Sequence, residues 1–575
     1  MPTEKIDGAQ ALVKCLEREG IEYMFGLSGG SAIPIFDALV TTNTKIKFVL
    51  VRHEQGAAHM ADGYARATGK PACVLVTSGP GATNTLTGVM TAHMDSVPMI
   101  VVTGQSVSWM LGKDAFQEAD IFGITMPVVK HSYLVKKTND IPRIVREAYH
   151  IATTGRPGPV LIDLPKDVSS GPCTVDLFQE MDLPGYKPYP AKIDKEKIVE
   201  IAEALSKSRK PVLLVGHGVI ISDACAQVKA LAEKLGAPVV NTLLGKGGFP
   251  ETHKLSLGML GMHGTAYATK AVVECDLIMS IGSRFDDRII GQPDKFCKNA
   301  TKIHIDVDPS EIGKMIKPDI HVIGDARAVL DELNKHVTRL DTREWLDHLE
   351  GYKKKYALHY KKQGGLKMQH IMDELYKMTG GKAVAVTDVG QHQMWAAQFW
   401  KTDGRHDWLS SGGAGTMGYG FPAAIGAQLG RPKDLVVVFC GDGGFQMTMP
   451  ELATACLHKL PIKIIVLNNH YLGMVRQWQE LFYDDRKSGV DLEGNPDFAK
   501  LAEAYQNAKG FTLKRPADVK KILARALEYN DGPCVINAEV VKTENVFPMI
   551  PAGRPLEDML VEPPKAQMEK PTGST

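Results

Sequence analysis

The chain lacks most of what would mark a specialised environment. Its 575 residues include nine cysteines, at positions 15, 73, 173, 225, 275, 297, 440, 456 and 534, with no CxxC among them. An odd, scattered set argues against a disulfide framework or a thiolate metal site and fits buried free thiols in a reducing compartment. No apolar run reaches the roughly 18 residues of a membrane span. Lys and Arg number 67 against 66 Asp and Glu, a formal net charge of +1. That balance argues against nucleic acid or an anionic membrane as the main partner. The opening Met1-Pro2-Thr3-Glu4-Lys5 mixes acid and base and runs straight into a helix pattern, unlike a signal or transit peptide. No solenoid period recurs along the chain. The expectation is a cytoplasmic protein, in a bacterial-type setting, that engages neither membrane nor nucleic acid.

What is present is ordinary globular material: 44% hydrophobic, 23% charged and 7% aromatic residues. At roughly 150 residues per domain the length suggests about three or four domains. Short, nearly all-apolar strands alternate with helices, as in parallel sheets covered on both faces, so the fold class is α/β with three doubly wound parallel-sheet domains. In the first, Asp7 can cap a helix that ends at Gly20. The predicted organisation is an N-terminal domain over 1–170 and a proline-rich linker over 171–195. A central domain over 196–340 is followed by a charged helical connector over 341–365. A third domain spans 366–546, and a tail, expected to be loosely ordered or late to dock, covers 547–575.

The strongest local signal lies in the third block. The apolar strand DLVVVF leads through Cys440 into Gly441-Asp442-Gly443-Gly444, a helix follows, and the strand IKIIVL ends in Asn468-Asn469. One βαβ unit places Asp442 and Asn469 at the carboxyl ends of neighbouring parallel strands, where open α/β sheets bind ligands. A carboxylate and an amide oxygen suit a hard cation such as Mg²⁺, whose other ligands come from phosphate and water. The glycines let the backbone approach a phosphate at a helix N-terminus. GDG followed about 25 residues later by NN is the signature of thiamine-diphosphate enzymes. Alone, GDG reads as a plain turn; the spaced pair favours the cofactor. A second candidate, Gly413-Ala414-Gly415-Thr416-Met417-Gly418, matches the dinucleotide fingerprint but follows a poor strand and has no acidic residue at a strand end about 20 positions on, so a nicotinamide site is rejected. His53-Glu54 is no zincin motif, because Ala57 stands where the second His belongs.

Glu54 follows the strand KFVLV within His53-Glu54-Gln55-Gly56-Ala57-Ala58. A Glu there is ordinarily a helix-start residue. The full string HEQGAAHMADGYARATG, however, matches a thiamine-diphosphate family motif whose Glu meets the pyrimidine N1′ and lets the cofactor's own amino group act as base. Further stretches extend the match over about Asp7 to Gly553: TSGPGATN, DAFQE, RPGPVLIDLPKDV, LGMLGMHGT, GSRFDDR, DVGQHQMWAAQ, GTMGYG, GMVRQWQ and VFPMIP. The chain thus resembles the catalytic subunits of the acetohydroxyacid synthase (acetolactate synthase) family.

The resemblance implies thiamine diphosphate, Mg²⁺ and FAD as cofactors. Val389, Gly390, Gln391 and His392 would cradle the diphosphate beside Gly441, Asp442, Gly443, Gly444 and Asn469. Asp442, Asn469 and Tyr471 would hold the metal. Gly415 and Met417 would meet the aminopyrimidine, and Gly473, Met474 and Val475 the thiazolium. Pyruvate would lose CO₂ and pass its two-carbon unit to a second 2-keto acid, pyruvate or 2-ketobutyrate, opening branched-chain amino acid synthesis. Arg288 would bind the surviving carboxylate; a structural pairing with Asp286 or Asp287 could coexist. Trp478 would wall the pocket for 2-ketobutyrate, and a core Trp fits it equally well. Phe116, Gln117 and Lys166 would line the channel, and Gly30 would offer an N–H to the reacting oxygen. Arg156, Gly216, Gly218, Thr242, Met262, His263, Gly282, Arg284, Asp286, Asp306 and Asp325 match flavin-binding positions, with the flavin structural because the reaction has no net redox.

Because Glu54 and Asp442 sit on separate, similar-looking domains, family logic makes the site shared between two protomers, hence a homodimer at minimum. A tetramer and a separate regulatory small subunit stay open. Departures from the family pattern are Leu27-Ser28 for Tyr-Pro, Ala414 for Leu, and Lys246 where an apolar residue is common; altered packing near the cofactor is expected. Alternative readings are another flavin-containing relative, such as a pyruvate oxidase or a glyoxylate carboligase, and a non-catalytic flavoprotein scaffold. Glu54 speaks against the carboligase, and Arg288 with Trp478 favours the synthase.

Overall fold

Each alternating block of the sequence closes into its own sheet. A computed structural model of the chain describes residues 6–189 and 192–563. The opening pentapeptide, on which the targeting argument rests, lies outside the described residues, as do 190–191 of the linker and the tail beyond 563. The first helix, Gly8–Arg18, is entered through a capping box in which Asp7 accepts from the Gln10 N–H while the Gln10 side chain accepts from the Asp7 N–H.

The N-terminal sheet is parallel throughout, in the spatial order Lys47–Leu50, Tyr23–Leu27, Ala72–Val76, Met99–Gln105, Pro159–Pro165, His131–Leu134. The C-terminal sheet runs Trp408–Leu409, Val384–Thr387, Val436–Gly441, Lys463–Asn468, Cys534–Glu539, Lys509–Leu513, again all parallel. Numbered within its own block, each sheet reads 2-1-3-4-6-5, so the outer domains share one topology. The central sheet differs: Ser256–Met259, Val239–Asn241, Pro211–Val215, Leu277–Ile281, Thr301–Asp306, Ile320–Ile323. Its order, 3-2-1-4-5-6, is that of the dinucleotide-binding folds, with a switch point between the Pro211 and Leu277 strands.

The outer domains are fused through one core. Buried apolar side chains from both sheets and from the helices Glu54–Thr68 and Gly420–Gly430 form a single cluster. The two helices pack backbone to backbone. A Cβ on Gly63 would lie 2.1 Å from the Ala423 carbonyl oxygen, and one on Gly426 would lie 1.9 Å from that of Met60. Beside this contact, Arg66 bridges Asp62 (2.6 Å) and Asp95 (2.7 Å), and the Tyr419 hydroxyl donates to Asp62 (2.8 Å), all buried.

Residues 547–563 dock on the central domain. Ile550 and Leu556 are buried in the second core of the central domain, and Met549 bridges Leu560. In the 171–195 segment, Pro172–Cys173 pairs antiparallel with Ile6–Asp7. The connector carries the helix Arg343–Lys355, whose Trp345 is buried. Lys246 is buried rather than solvated: Nζ donates to Glu251 (2.5 Å) and to the carbonyls of Ala397 and Trp400 (both 3.0 Å), tying the central domain to the C-terminal one. All nine cysteines are free, and every one but Cys225 is buried. Among the described residues no helix is long and apolar enough to cross a membrane.

Gly426→Ala should lower stability by about 3 kcal/mol, since the nearest atom is backbone and cannot move aside cheaply. A fall in the urea midpoint at unchanged slope is the expected result; an unchanged midpoint contradicts the close helix contact.

Candidate active site

Asp442 stands at the end of a strand, as the motif requires, but the GDG is no loop. The helix Asp442–Thr448 starts on Asp442 itself, capped by Gly441, and the chain continues through the 3-10 turn Met449–Glu451. The adjacent parallel strand ends at Asn468, so Asn469 lies beside Asp442. Asp442 is 1% exposed, and burial pushes its carboxyl up to about 6. One of its oxygens accepts from the Asn495 amide at 2.7 Å, and that amide also donates to the Asn468 oxygen at 3.2 Å. Tyr471 turns back so that its N–H meets the Asn469 oxygen at 3.2 Å.

The elements around Asp442 leave polar atoms unspent. Gln391 Oε1 and His392 Nε2 are buried without partners. Burial drives the His392 imidazole down to about 3, so it is neutral. A Cβ on Gly441 would sit 3.0 Å from the His392 ring, and one on Gly473 would sit 2.2 Å from Gln391 Oε1 and 2.8 Å from the Asn469 amide. Met417 reaches the same place, with its methyl 3.5 Å from a Cβ built on Gly443. Thus the segments 389–392, 415–418, 441–444 and 469–475 converge. Two buried polar atoms without partners, a glycine cradle and a helix N-terminus fit a diphosphate. Asp442 with amide oxygen beside it fits a hard divalent cation completed by phosphate; among the described residues no cluster of three His, Cys, Asp or Glu offers an alternative metal site.

Asp388, which sequence reasoning passed over, organises this edge. It is fully buried and accepts from the N–H groups of Val389 (2.7 Å), Gly418 (3.0 Å) and Gly420 (3.0 Å). A Cβ on Gly444 would come within 2.3 Å of its Oδ1. One carboxylate therefore pins three of the converging segments, at the sheet's topological switch point between the Val384 and Val436 strands. Burial pushes it up to about 6.

The candidates of the N-terminal domain lie along the corresponding edge of its sheet. Glu54, 6% exposed, is the first residue of its helix and accepts from the Asn84 amide at 3.0 Å. Gly81 lies against the Glu54 carboxylate, and Gly79 against the backbone of Gln117, which adopts a left-handed φ of 56°. Gly30 is exposed beyond the Tyr23 strand, Lys166 is exposed directly after the Pro159 strand, and Phe116 is 88% exposed.

A cavity of about 570 Å³ lies where the three domains meet. From the flavin candidates it takes Arg156, Gly218, Thr242, Met262, His263, Gly282, Arg284, Asp286, Asp306 and Asp325. It also takes Arg288 and Trp478, together with Val389, Gly390, Gly415, Met417, Met474 and Val475. Gly216 stands behind the wall, where a Cβ would meet the Gly282 carbonyl at 2.1 Å. The cavity opens at the central sheet's switch point, and buried His263 Nε2 and Trp478 Nε1 have no partner. A roomy, mixed polar and apolar space at a dinucleotide-type crevice fits a flavin dinucleotide. Several candidates also have work within the chain. Arg156 pairs with Glu311 (2.7 Å) and Asp308 (3.2 Å); Asp325 caps the helix Ala326–His336; Asp286 caps Asp287–Ile290. Arg288 is more than half exposed, loosely near Asp287 at 3.7 Å.

The structure therefore gathers two groups. The cavity joins the flavin and substrate candidates to the Met417 and Val475 segments. Glu54, Gly30, Phe116, Gln117 and Lys166 share a second edge and do not line that cavity. Asp388 and Asn495 were missed; the only local signal was a buried acid directly after a strand in the first case, and none in the second.

Fold and site together define a thiamine-dependent enzyme, and comparison with known proteins agrees. Three family models match in sequence order: the thiamine pyrophosphate enzyme N-terminal TPP binding domain over 6–124, the central domain over 198–333, and the C-terminal TPP binding domain over 388–538. The acetolactate synthase of Mycobacterium bovis is 46% identical over 562 residues, 96% of this chain and 90% of the relative. The acetolactate synthase large subunit of Haemophilus influenzae is 44% identical over 573 residues, 98% and 100% of the two chains. That of Lactococcus lactis is 46% identical over 559 residues, 96% of each. The chain belongs to the thiamine pyrophosphate enzymes and, within them, to the acetolactate synthase large-subunit family.

Asp388 carries a pH signature. Between about pH 4 and about pH 6 the unfolded carboxyl has released its proton while the folded one retains it, so this group's contribution to stability falls as pH rises. Asp388→Asn cannot ionise. Wild type should therefore lose on the order of 2 kcal/mol relative to Asp388→Asn between pH 4 and pH 7. Denaturant titrations across that range check it, and a constant difference contradicts the buried carboxylate.

Proposed function

We propose that the chain is the catalytic subunit of an acetolactate synthase. It decarboxylates pyruvate and joins the two-carbon unit to a second 2-keto acid, giving 2-acetolactate from pyruvate or 2-aceto-2-hydroxybutyrate from 2-ketobutyrate. Thiamine diphosphate, when bound, supplies the electron sink that decarboxylation needs. Gln391, His392 and the glycines around Asp442 hold its diphosphate. Asp442, Asn469 and Tyr471 hold Mg²⁺. Met417 supports the ring end, and Glu54 keeps a proton at the pyrimidine N1′. The buried setting of Glu54 keeps water from that proton, and the Asn84 amide fixes the carboxylate's direction. Gly30, Gln117 and Lys166 face the reacting carbonyl from the N-terminal edge. Arg288 takes the carboxylate that survives; it lines the cavity, more than half exposed and held only loosely by Asp287 (3.7 Å) and Met262 Sδ (3.9 Å). Trp478 forms the wall against which the larger 2-keto acid packs. The three-domain cavity, lined by Arg156, Gly218, Asp306 and Asp325 among others, would hold FAD in a structural role.

The observation that carries the proposal is the convergence on Asp442 of the unpartnered atoms Gln391 Oε1 and His392 Nε2, the Gly441 and Gly473 cradle and Met417. The separation of Glu54 from that group supports assembly as at least a homodimer. Exposed apolar side chains in both outer domains support it too: Trp109 and Phe116 in the N-terminal one, Met447, Val475 and Tyr483 in the C-terminal one. The nine free thiols fit a reducing, cytoplasmic setting.

Supplied with pyruvate, thiamine diphosphate, Mg²⁺ and FAD, the protein should form acetolactate, and acetohydroxybutyrate when 2-ketobutyrate is added. Acetate or peroxide as the main product contradicts the proposal. Glu54→Gln should lower kcat by about 10²–10⁴-fold, the usual worth of a positioned acid–base group.

A further inference from the structure

The entry to the Glu54 helix is gripped by a side chain from the other end of the sequence. Glu451 is 1% exposed. Its Oε1 accepts from the backbone N–H groups of Arg52 (2.9 Å) and His53 (3.0 Å), the two residues immediately before Glu54. Its Oε2 accepts from the Thr454 hydroxyl at 2.7 Å, and that hydroxyl also lies 3.2 Å from the carbonyl of Leu50, the last residue of the preceding strand. Gly56 leaves room for the carboxylate: a Cβ there would lie 2.6 Å from Glu451 Oε1. The N–H groups at a helix entry have no partner within the helix, and here a buried carboxylate from the C-terminal domain supplies one. The strand-to-helix turn that delivers Glu54 is thus held at Leu50, Arg52 and His53 by the segment 451–454.

The geometry points to Glu451 as a positioning residue for Glu54. It does not touch the cofactor or substrate. It fixes the backbone on which Glu54 is mounted, while Asn84 fixes the side chain. Two features distinguish this from general domain docking. The docking surface is the glycine contact between the Glu54 and Gly420 helices, around Gly63 and Gly426, two turns further along. Glu451 instead spends both oxygens at the helix entry. The inference rests on the reading of Glu54 as the residue that acts at the pyrimidine.

The test uses the full-length enzyme reconstituted with thiamine diphosphate and Mg²⁺. Glu451→Ala removes the grip. Gly56→Ala, in the other domain, displaces the same carboxylate. Both should lower kcat by about 10–100-fold, the scale set by an ångström of misplacement in a catalytic group. The dissociation constant for thiamine diphosphate should stay within about threefold, because the diphosphate residues are untouched. Amide hydrogen exchange, read by mass spectrometry, should accelerate in the peptide spanning 51–56 and not in the helix beyond it. Glu451→Gln keeps the oxygen that accepts both N–H groups and should restore turnover and protection together. Unchanged exchange at 51–56 in Glu451→Ala overturns the inference. So does wild-type turnover in that variant, or a Glu451→Gln enzyme as impaired as Glu451→Ala. Glu54→Gln is measured alongside. If it too is fully active, the role of Glu54 has failed; if it is inactive while Glu451→Ala is not, only the positioning role has.

Discussion

Two helices that touch along their backbones set the geometry of everything else. Gly63 and Gly426 allow an approach that any side chain would block, and the close fit makes the N- and C-terminal domains one rigid unit. The fit is keyed by a buried charge network. Arg66 is shared between Asp62 and Asp95, Tyr419 donates to Asp62, and Asp95 in turn accepts the N–H groups of Gly412 and Gly413. The backbone of Asp95 meets His217 of the central domain at 2.8 Å. Such a network adds little net stability over an apolar core, but losing one partner strands a buried charge, so it tolerates one arrangement of the domains. The helix that starts at Glu54 and the loop that carries Met417 therefore stand in a fixed relation within each chain.

On that frame the molecule uses one topology twice and a second once. The outer sheets share the order 2-1-3-4-6-5, and each presents its candidate residues at its carboxyl edge. Their sequences specialise them differently. The C-terminal edge collects buried carboxylates, Asp388 and Asp442, whose protons are held up to about 6 by burial, with glycines and a helix N-terminus. One of these carboxylates is satisfied by backbone N–H groups and shapes the site; the other is left facing it. The N-terminal edge collects Glu54 and the exposed channel candidates. The central sheet, with its 3-2-1-4-5-6 order, opens its crevice into the three-domain cavity.

Much of this was legible in the sequence, for identifiable reasons. Parallel strands buried on both faces announce themselves as short apolar runs, and a motif such as GDG followed by NN has a mechanism for each residue. What escaped acts through the backbone or across great sequence distance. Asp388 accepts from N–H groups 30 and 32 residues away, Asn495 reaches Asp442 over 53 residues, and Glu451 serves Arg52 across 399. No local period or spacing encodes such contacts. Lys246 is a further case: a cation where an apolar residue is common, it is buried against Glu251 and two carbonyls of the next domain. The prolines of the C-terminal segment likewise say nothing of where it docks: Ile550 and Leu556 bury themselves in the central domain.

In the proposed assembly each active centre takes Glu54 from one protomer and Asp442 from another. Mixing Glu54→Gln and Asp442→Asn proteins, each inactive alone, under conditions that exchange subunits tests it directly. In the hybrid dimer one site combines both substitutions and the other has none. Acetolactate formation should then return, to about a quarter of wild type at random pairing. If the mixture stays inactive while the hybrid is shown to form, the two residues act within one chain and the account is wrong.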